Sequence, residues 1–437
     1  MISVNKILRL FIFLFLIASC SLDKKTGLWT KPDKIENFED LTVVELFKEE
    51  KNFDKEFNSN VRIKLESKLL KGSSSNNLTN NNGRVNYNGN LQTLSRYKFS
   101  KIDNFNKFEP EIALDKKNII FFDNKGSILK FDQSSKLVWK VNYYNKGERK
   151  LKPMLNMASY QNNLIISDNL AKYYLVDIQT GNLLWMKNNI APFNSQIKVY
   201  EDKFFVTDYQ NILRCYSIKD GNELWNIKTD TSFVKSQKRL SLAISDRKIY
   251  FNNTLGDISA VDIDRGKLIW QTPTQDSSIY ESSFQLKTSD LITVNKSIFF
   301  SNNKNEFYSL DRNTGTLIWQ QKINSITRPT VIGNFIFTIT QEGFLIVLEQ
   351  ETGNIIRITN VFDRIKEKKR QKINPVGFIV GTQNIYLTTN NGRLIVIDVL
   401  TGKPNLMLKI DNDKISRPFI LDDNLFIIKD SAIIKFD

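Results

Sequence analysis

The chain has 437 residues, 62 lysines and arginines against 47 aspartates and glutamates, and a formal net charge of +15. It contains no histidine and two cysteines, which excludes His-based triads, imidazole metal ligands, imidazole general bases and multi-cysteine metal sites. Its hydrophobic (41%) and charged (25%) fractions are ordinary for a soluble globular protein.

Residues 1–19 read as a secretory signal peptide. Lys6 and Arg9 precede or open an uncharged run, Leu10 to Ala18, that is shorter than the ~20 apolar residues of a membrane-spanning helix. The run ends Ile17-Ala18-Ser19-Cys20, which resembles the lipobox of bacterial lipoproteins. That resemblance implies lipid attachment at Cys20 and anchoring to a membrane surface. Ser21, where inner-membrane lipoproteins often carry Asp, favours the outer membrane. Removing Lys6 and Arg9 with the signal lowers the net charge from +15 to +13. Cys215 alternates with apolar neighbours in Ile212-Leu-Arg-Cys-Tyr216 and is expected as a buried strand thiol. No intramolecular structural disulfide is available.

Residues 20–93 are expected to be a tail ahead of the main domain. It has mixed charge from Lys24 to Lys71, a helix candidate within residues 40–57 and an alternating stretch, Val61-Arg-Ile-Lys-Leu65, of strand type. The Ser/Asn-rich stretch Gly72 to Gly83 has the composition of a flexible linker, so the tail reads as a tether.

From there the chain repeats a phrase: Asp, two residues, Thr-Gly, three residues, Trp. It stands as Asp177-Ile-Gln-Thr-Gly181-Asn-Leu-Leu-Trp185 and Asp311-Arg-Asn-Thr-Gly315-Thr-Leu-Ile-Trp319, with looser copies at Ser217 to Trp225 (through Gly221) and Asp262 to Trp270 (through Gly266). A degenerate copy, Asp132 to Trp139, precedes them. Two later copies keep the turn and lose Trp, Glu349 to Arg357 through Gly353 and Asp398 to Leu406 through Gly402. Asp caps a turn, Gly tolerates positive φ, and Trp opens the next strand with a large face to pack on a neighbouring sheet. A second Gly/Asn turn lies upstream of each phrase, so each unit reads as four short antiparallel strands.

A period of this kind predicts an all-β propeller. Seven complete turns are followed by an eighth unit from Ser416 that reaches Asp437 with one strand missing. An unpaired edge is an aggregation hazard, and Leu94-Ser-Arg-Tyr-Lys-Phe-Ser100 is the candidate to cover it. The expectation is an eight-bladed β-propeller over residues 94–437, closed by an N-terminal strand; seven blades is the runner-up. The basic run Lys366-Glu-Lys-Lys-Arg-Gln-Lys372 falls between the sixth and seventh units and reads as a solvated loop.

The phrase resembles the repeat of pyrroloquinoline-quinone-dependent dehydrogenases and that of the BamB family, the lipoprotein propellers of the outer-membrane β-barrel assembly machinery. The lipobox at Cys20, the absence of adjacent cysteines and a single ring with short loops favour the BamB family. Membership would imply a non-enzymatic scaffold without cofactor or metal, facing the periplasm from the outer membrane of a Gram-negative bacterium. Its partner would be the periplasmic domains of the central barrel subunit, bound through loops on one face of the ring, with nucleic acid and small-molecule substrates not expected. The family's apolar-plus-Arg contact element is matched loosely by Phe233-Val234-Lys235, with Lys where Arg is expected; its acidic element near the fifth blade does not align with Ser283 to Asp290 at the start of the fifth unit. The alternatives are a quinone-dependent dehydrogenase and a propeller lipoprotein binding another envelope component. If Cys20 is the lipid acceptor, Cys20→Ser will abolish palmitate labelling and release the protein from the membrane fraction; unchanged labelling would remove Cys20 from the assignment.

Overall fold

The computed structural model describes residues 55–65, 69–72, 77–229, 239–274 and 286–437. Its strands form eight four-stranded antiparallel sheets, the blades of a propeller whose innermost strands neighbour one another around a central channel. Seven blades are continuous in sequence: residues 113–141, 155–188, 198–228, 242–272, 292–321, 330–360 and 375–409. The eighth joins Phe419–Leu421, Asn424–Lys429 and Ala432–Phe436 to an outer strand from the other end of the chain, Thr93–Lys98. That strand pairs antiparallel with the last one, Arg96 opposite Ile434 and Lys98 opposite Ala432. The degenerate unit at Asp132 is a true blade, which settles the ring at eight rather than seven.

Burial follows position within a blade. The second and third strands are almost entirely buried, as in Phe204–Val206 and Leu213–Tyr216, because both sheet faces pack on neighbouring blades. Outer strands alternate toward solvent. Each outer strand of the first seven blades also carries a bulge just before the Trp position, as where Leu175 opposes Trp185 and Val176 opposes Leu183. The extra residue leaves two successive aliphatics exposed, Leu183 and Leu184, and turns the following Trp inward.

The turn chemistry matches the expectation. Asp177 Oδ1 accepts from the amides of Gln179 (3.0 Å) and Thr180 (2.7 Å) and from the Thr180 hydroxyl (2.9 Å). Asp311 repeats the pattern, and Asp398 keeps the two bonds from Thr401. What the sequence did not disclose is where the Trp goes. Trp185, Trp225, Trp270 and Trp319 each lie on the turn glycine of the next blade and donate the Nε1–H to the carbonyl that follows that blade's Asp position. Trp185 bonds Ile218 O (2.9 Å), Trp225 bonds Ile263 O (3.0 Å), Trp270 bonds Arg312 O (3.2 Å) and Trp319 bonds Gln350 O (3.1 Å). Gly266 illustrates the fit: its φ is +63°, and a Cβ there would stand 2.5 Å from the Trp225 ring.

Seams without a Trp hydrogen bond are repaired by other side chains. Arg357, fully buried, reaches Leu400 O (2.6 Å) and Val399 O (3.2 Å) in the next blade, beside Gly402. In the first blade Lys130 Nζ takes Ile178 O (2.9 Å), and the Trp139 Nε1 behind it is buried without a partner. At the closing seam Tyr97, on the N-terminal strand, donates to Gln133 O (3.2 Å).

The described residues of the tail pack on the ring. Phe57 exchanges both backbone hydrogen bonds with Ile358 on the sixth blade's outer strand, and Ile63 is buried between the sixth and seventh blades. Val61–Leu65 forms no strand; Ile63 donates to Leu400 O instead. Further on, Leu70 N donates to Arg84 O and Asn86 N to Leu70 O. Residues 77–82 occupy the channel, so this part of the expected flexible linker is structural. The physical reason is that the innermost strands present unpaired backbone edges to the channel, and an asparagine amide both donates and accepts like a peptide group. Asn81 accepts from Val331 N (2.9 Å) and donates to Val331 O (3.0 Å). Asn80 donates to Leu242 O and Leu291 O, both at 2.8 Å. The candidate helix of residues 40–57 lies largely outside the described residues.

If the Trp latches hold neighbouring blades together, Trp225→Ala will destabilise the protein by about 3 kcal/mol, while Tyr97→Phe, which removes one hydrogen bond, will cost about 1 kcal/mol. Urea unfolding midpoints at constant m-value check both; a Trp225→Ala midpoint equal to wild type would show that the latch carries no stability.

Candidate binding site in the central channel

Where the chain enters the innermost strand of a blade, one residue points to the channel mouth, and several of these are charged. Glu111, Asp290, Arg328 and Arg417 each stand two residues before such a strand, and Arg239 stands three before. The residue ahead of several of them pins it in place. Ser289 Oγ accepts from Ser301 N (3.0 Å) and donates to Asp290 O (3.1 Å). Ser416 does the same with Ile428 N (2.9 Å) and Arg417 O (2.8 Å). Ser195 serves Gln196 likewise. These bonds tie the strand entry to the second strand, so the charged side chain starts from a fixed base.

The five side chains meet as one ion cluster of three guanidiniums and two carboxylates. Arg239 Nη2 lies 2.8 Å and Arg328 Nη2 3.3 Å from Glu111 Oε1, which Arg417 also contacts. Asp290 Oδ2 receives Arg328 Nε (2.6 Å) and Arg417 Nη1 (3.1 Å). The arginines are largely buried, and Glu111 keeps about a third of its side chain exposed (32%). Burial opposes ionisation of both carboxyls, but the surrounding arginines outweigh it and hold each well below the usual carboxylate range.

Beneath the cluster, Lys198 Nζ bonds Asn80 Oδ1 (2.7 Å) and Asn77 O. Burial is the main cause that pulls its pKa down to about 7, with Glu111 and Asp290 acting against it and Arg328 and Arg239 adding to it. Gln196 joins the layers, accepting from Arg239 Nη2 (3.0 Å) and donating to Asn80 Oδ1 (3.1 Å). The tail's Asn-rich tip thus forms the floor of the mouth.

Above the cluster is a cavity of about 410 Å³. Lys107, Arg239, Lys287, Arg328, Lys414 and Arg417 line it, against two carboxylates, Glu109 and Asp290. Lys107 and Lys287 stand exposed at its rim, and Lys414 Nζ donates to Phe108 O (3.1 Å). A smaller cavity of about 80 Å³ lies on the other side, toward Asn77, Asn80 and Lys198. Among the described residues no group of three or more Cys, Asp and Glu side chains could hold a metal ion.

The residues singled out by sequence distribute differently. Asp177, Asp262, Asp311, Asp398 and the turn glycines lie in the hairpins that receive the latches, away from the mouth. Phe233, Val234, Lys235 and Cys20 lie outside the described residues. Cys215 is buried as expected, and burial pushes its thiol up to about 12. Asp290, the end of the segment to which the family's acidic element did not align, is a centre of the cluster. The missed signal was a column: Glu111, Asp290, Arg328 and Arg417 fall at the same place in their repeats, three strands upstream of the phrase that drew attention.

The depressed carboxyls give the cluster a defined pH dependence. Their stabilising contribution is complete above the unfolded-state values near 4 and is lost as pH falls through the lower folded-state values. Asp290→Asn will therefore destabilise the protein by about 3 kcal/mol at pH 7, and its difference from wild type will shrink in acid below about pH 4. Equal stability of the two at pH 7, by urea titration, would contradict the charge balance described.

The family model for the outer membrane protein assembly factor BamB matches residues 124–359, more than half of the chain. No curated protein matches it in sequence. Among solved structures, BamB from Moraxella catarrhalis superposes with a TM-score of 0.63 at 13% identity, covering 79% of this chain and 99% of that one. Quinohemoprotein alcohol dehydrogenase from Comamonas testosteroni gives 0.59 at 11% identity, over 81% of this chain and 78% of that one. A computationally designed protein, Ika8, gives 0.58 at 11%, over 78% and 99%. At such identities the likenesses show the propeller fold, whereas the family match rests on sequence across five blades. The chain belongs to the BamB family of outer-membrane protein assembly factors.

Proposed function

We propose that the protein is a lipid-anchored, non-enzymatic scaffold that assists assembly and insertion of β-barrel proteins in the outer membrane. It binds periplasmic domains of the central barrel subunit through the face of the ring that carries the channel mouth. The observation that carries this reading is the family match over residues 124–359. The mouth adds support as a recognition surface: it gathers loops from most blades, and its fixed charges are pre-organised by a rigid ring.

The fold shared with quinohemoprotein alcohol dehydrogenase favours one second reading, a quinone-dependent dehydrogenase. An absorption spectrum of the purified protein separates the two, since stoichiometric bound quinone would replace the scaffold reading. A photo-crosslinking amino acid at Lys287, on the rim of the mouth, should capture an outer-membrane β-barrel protein in intact cells. The same probe at Leu184, on an outer strand, should capture less. Recovery of the ring alone from both positions, together with unchanged outer-membrane barrel content in cells lacking the protein, would overturn the proposed role.

A further inference from the structure

The ion cluster leaves the channel mouth with more cation than it consumes. Three guanidiniums face two carboxylates, and the cavity above adds Lys107, Lys287 and Lys414 against Glu109 alone. Among the described residues, neither Lys107 nor Lys287 has a carboxylate within ion-pair distance. Arg239 is incompletely used as well. Its Nη2 serves Glu111 and Gln196, while Nε and Nη1 are buried without a hydrogen-bond partner among the described residues. The nearest carboxylates to Nη1, on Glu109 and Asp290, are both 3.9 Å away, too far for a hydrogen bond. Buried donors left unpaired carry a desolvation penalty that an incoming acceptor relieves.

Shape and floor specify the ligand further. Asn82 borders both the mouth cavity and the smaller cavity behind the cluster, so the tail's tip makes the channel a blind pit. Its volume of about 410 Å³ is within the range of small-ligand pockets. Leu286, Ile326 and Phe378 line it beside the cations. A planar guanidinium edge pairs with a carboxylate through two parallel bonds, and apolar walls suit the aliphatic carbons behind a carboxylate better than a fully hydrated phosphate.

We propose that the channel mouth is a carboxylate-binding site, with Arg239 as the inner donor and Lys107 and Lys287 as the rim that attracts the ligand. The carboxylates come either from an acidic segment of a partner polypeptide or from a free polycarboxylate. The proposal concerns ligand chemistry alone. Carboxylate binding without capture of a barrel protein, or the reverse, tells its failure apart from failure of the assembly role.

The test uses the full-length protein in detergent and fluorescein-labelled hexaglutamate, followed by anisotropy at about 0.05 and 0.15 M salt, with hexaglutamine as the neutral control. Hexaglutamate should bind, hexaglutamine should not, and affinity should fall with salt as exposed charges are screened. The double reversal Lys107→Glu/Lys287→Glu, on exposed side chains, should weaken binding about tenfold or more with an unchanged melting temperature. Arg239→Gln should weaken it by about tenfold. Competition assigns the source: displacement by citrate at concentrations matching unlabelled hexaglutamate points to a free polycarboxylate, and displacement by the peptide alone points to a polypeptide. Displacement by inorganic phosphate as effective as either would overturn carboxylate recognition. So would equal binding of hexaglutamate and hexaglutamine, or affinity unchanged by the double reversal.

Discussion

The interaction on which the ring depends is the seating of one blade's Trp on the next blade's turn glycine. A propeller blade cannot bury both of its faces alone, so cohesion between blades decides whether the fold exists. A Trp side chain removes up to about 150–250 Å² from water, worth at most a few kcal/mol at about 25 cal/mol/Å². The Nε1–H···O=C bond adds about 1 kcal/mol and gives the contact direction. Packing therefore dominates the energy, and the hydrogen bond dominates the register. The glycine is the receiving half of the joint, because a Cβ at Gly221 or Gly266 would stand 2.7 or 2.5 Å from the incoming indole. Asp fixes the turn that presents this glycine, so every fixed position of the phrase belongs to one joint shared by two blades.

The irregular seams show what the joint requires. Arg357 delivers hydrogen bonds to the same carbonyl region as Trp but is a cation buried without a carboxylate in hydrogen-bond contact, and burial pulls its pKa down to about 10 despite Asp398. Carbonyls of Val61, Val399 and Leu400 take its protons, so the tail residue Val61 takes part in keeping that seam satisfied. Between the seventh and eighth blades the Trp position is Leu406, half exposed (44%). Here the tail again supplies the contact: Tyr87 donates to Asp437 O (2.5 Å) and packs edge-on against Tyr386 at 4.9 Å. The tail is thus a strap across the seams where the repeat has decayed, and Thr93–Lys98 is its last contribution.

How legible this was in the sequence depends on whether the information was periodic. Blade number, the closing strand and the buried Cys215 could be read because they follow from repetition and alternation. The partner of each Trp could not, since the Trp and its glycine lie in different repeats and nothing local couples Trp225 to Gly266. The Asn-rich tip was misread for a related reason. Composition reports that residues 77–82 cannot form a core, and a channel lined with unpaired backbone edges offers polar partners that composition does not show. The ion cluster lay between these cases: Glu111, Asp290, Arg328 and Arg417 keep one register, but their signs and residue types differ, so no repeated letter exposed the column.

That column also explains why the mouth, rather than the rim of the ring, can differ between members of one fold. The joints tolerate little change, because each must fit both its own hairpin and the neighbour's. Gln196, Asp290, Arg328 and Arg417, each two places before an innermost strand, have no such obligation: the backbone is held by the preceding Ser or Thr, and the side chain enters the cluster at the mouth. Five such positions, Glu111, Gln196, Asp290, Arg328 and Arg417, meet at the cluster. Substituting any of them changes the charge and shape of a common site while leaving the latches untouched. In this chain the outcome is a cation-rich mouth, made blind from below by its own tail. The same tail that closes the eighth blade therefore converts a pore into a pocket, and links the completeness of the ring to the existence of its binding site.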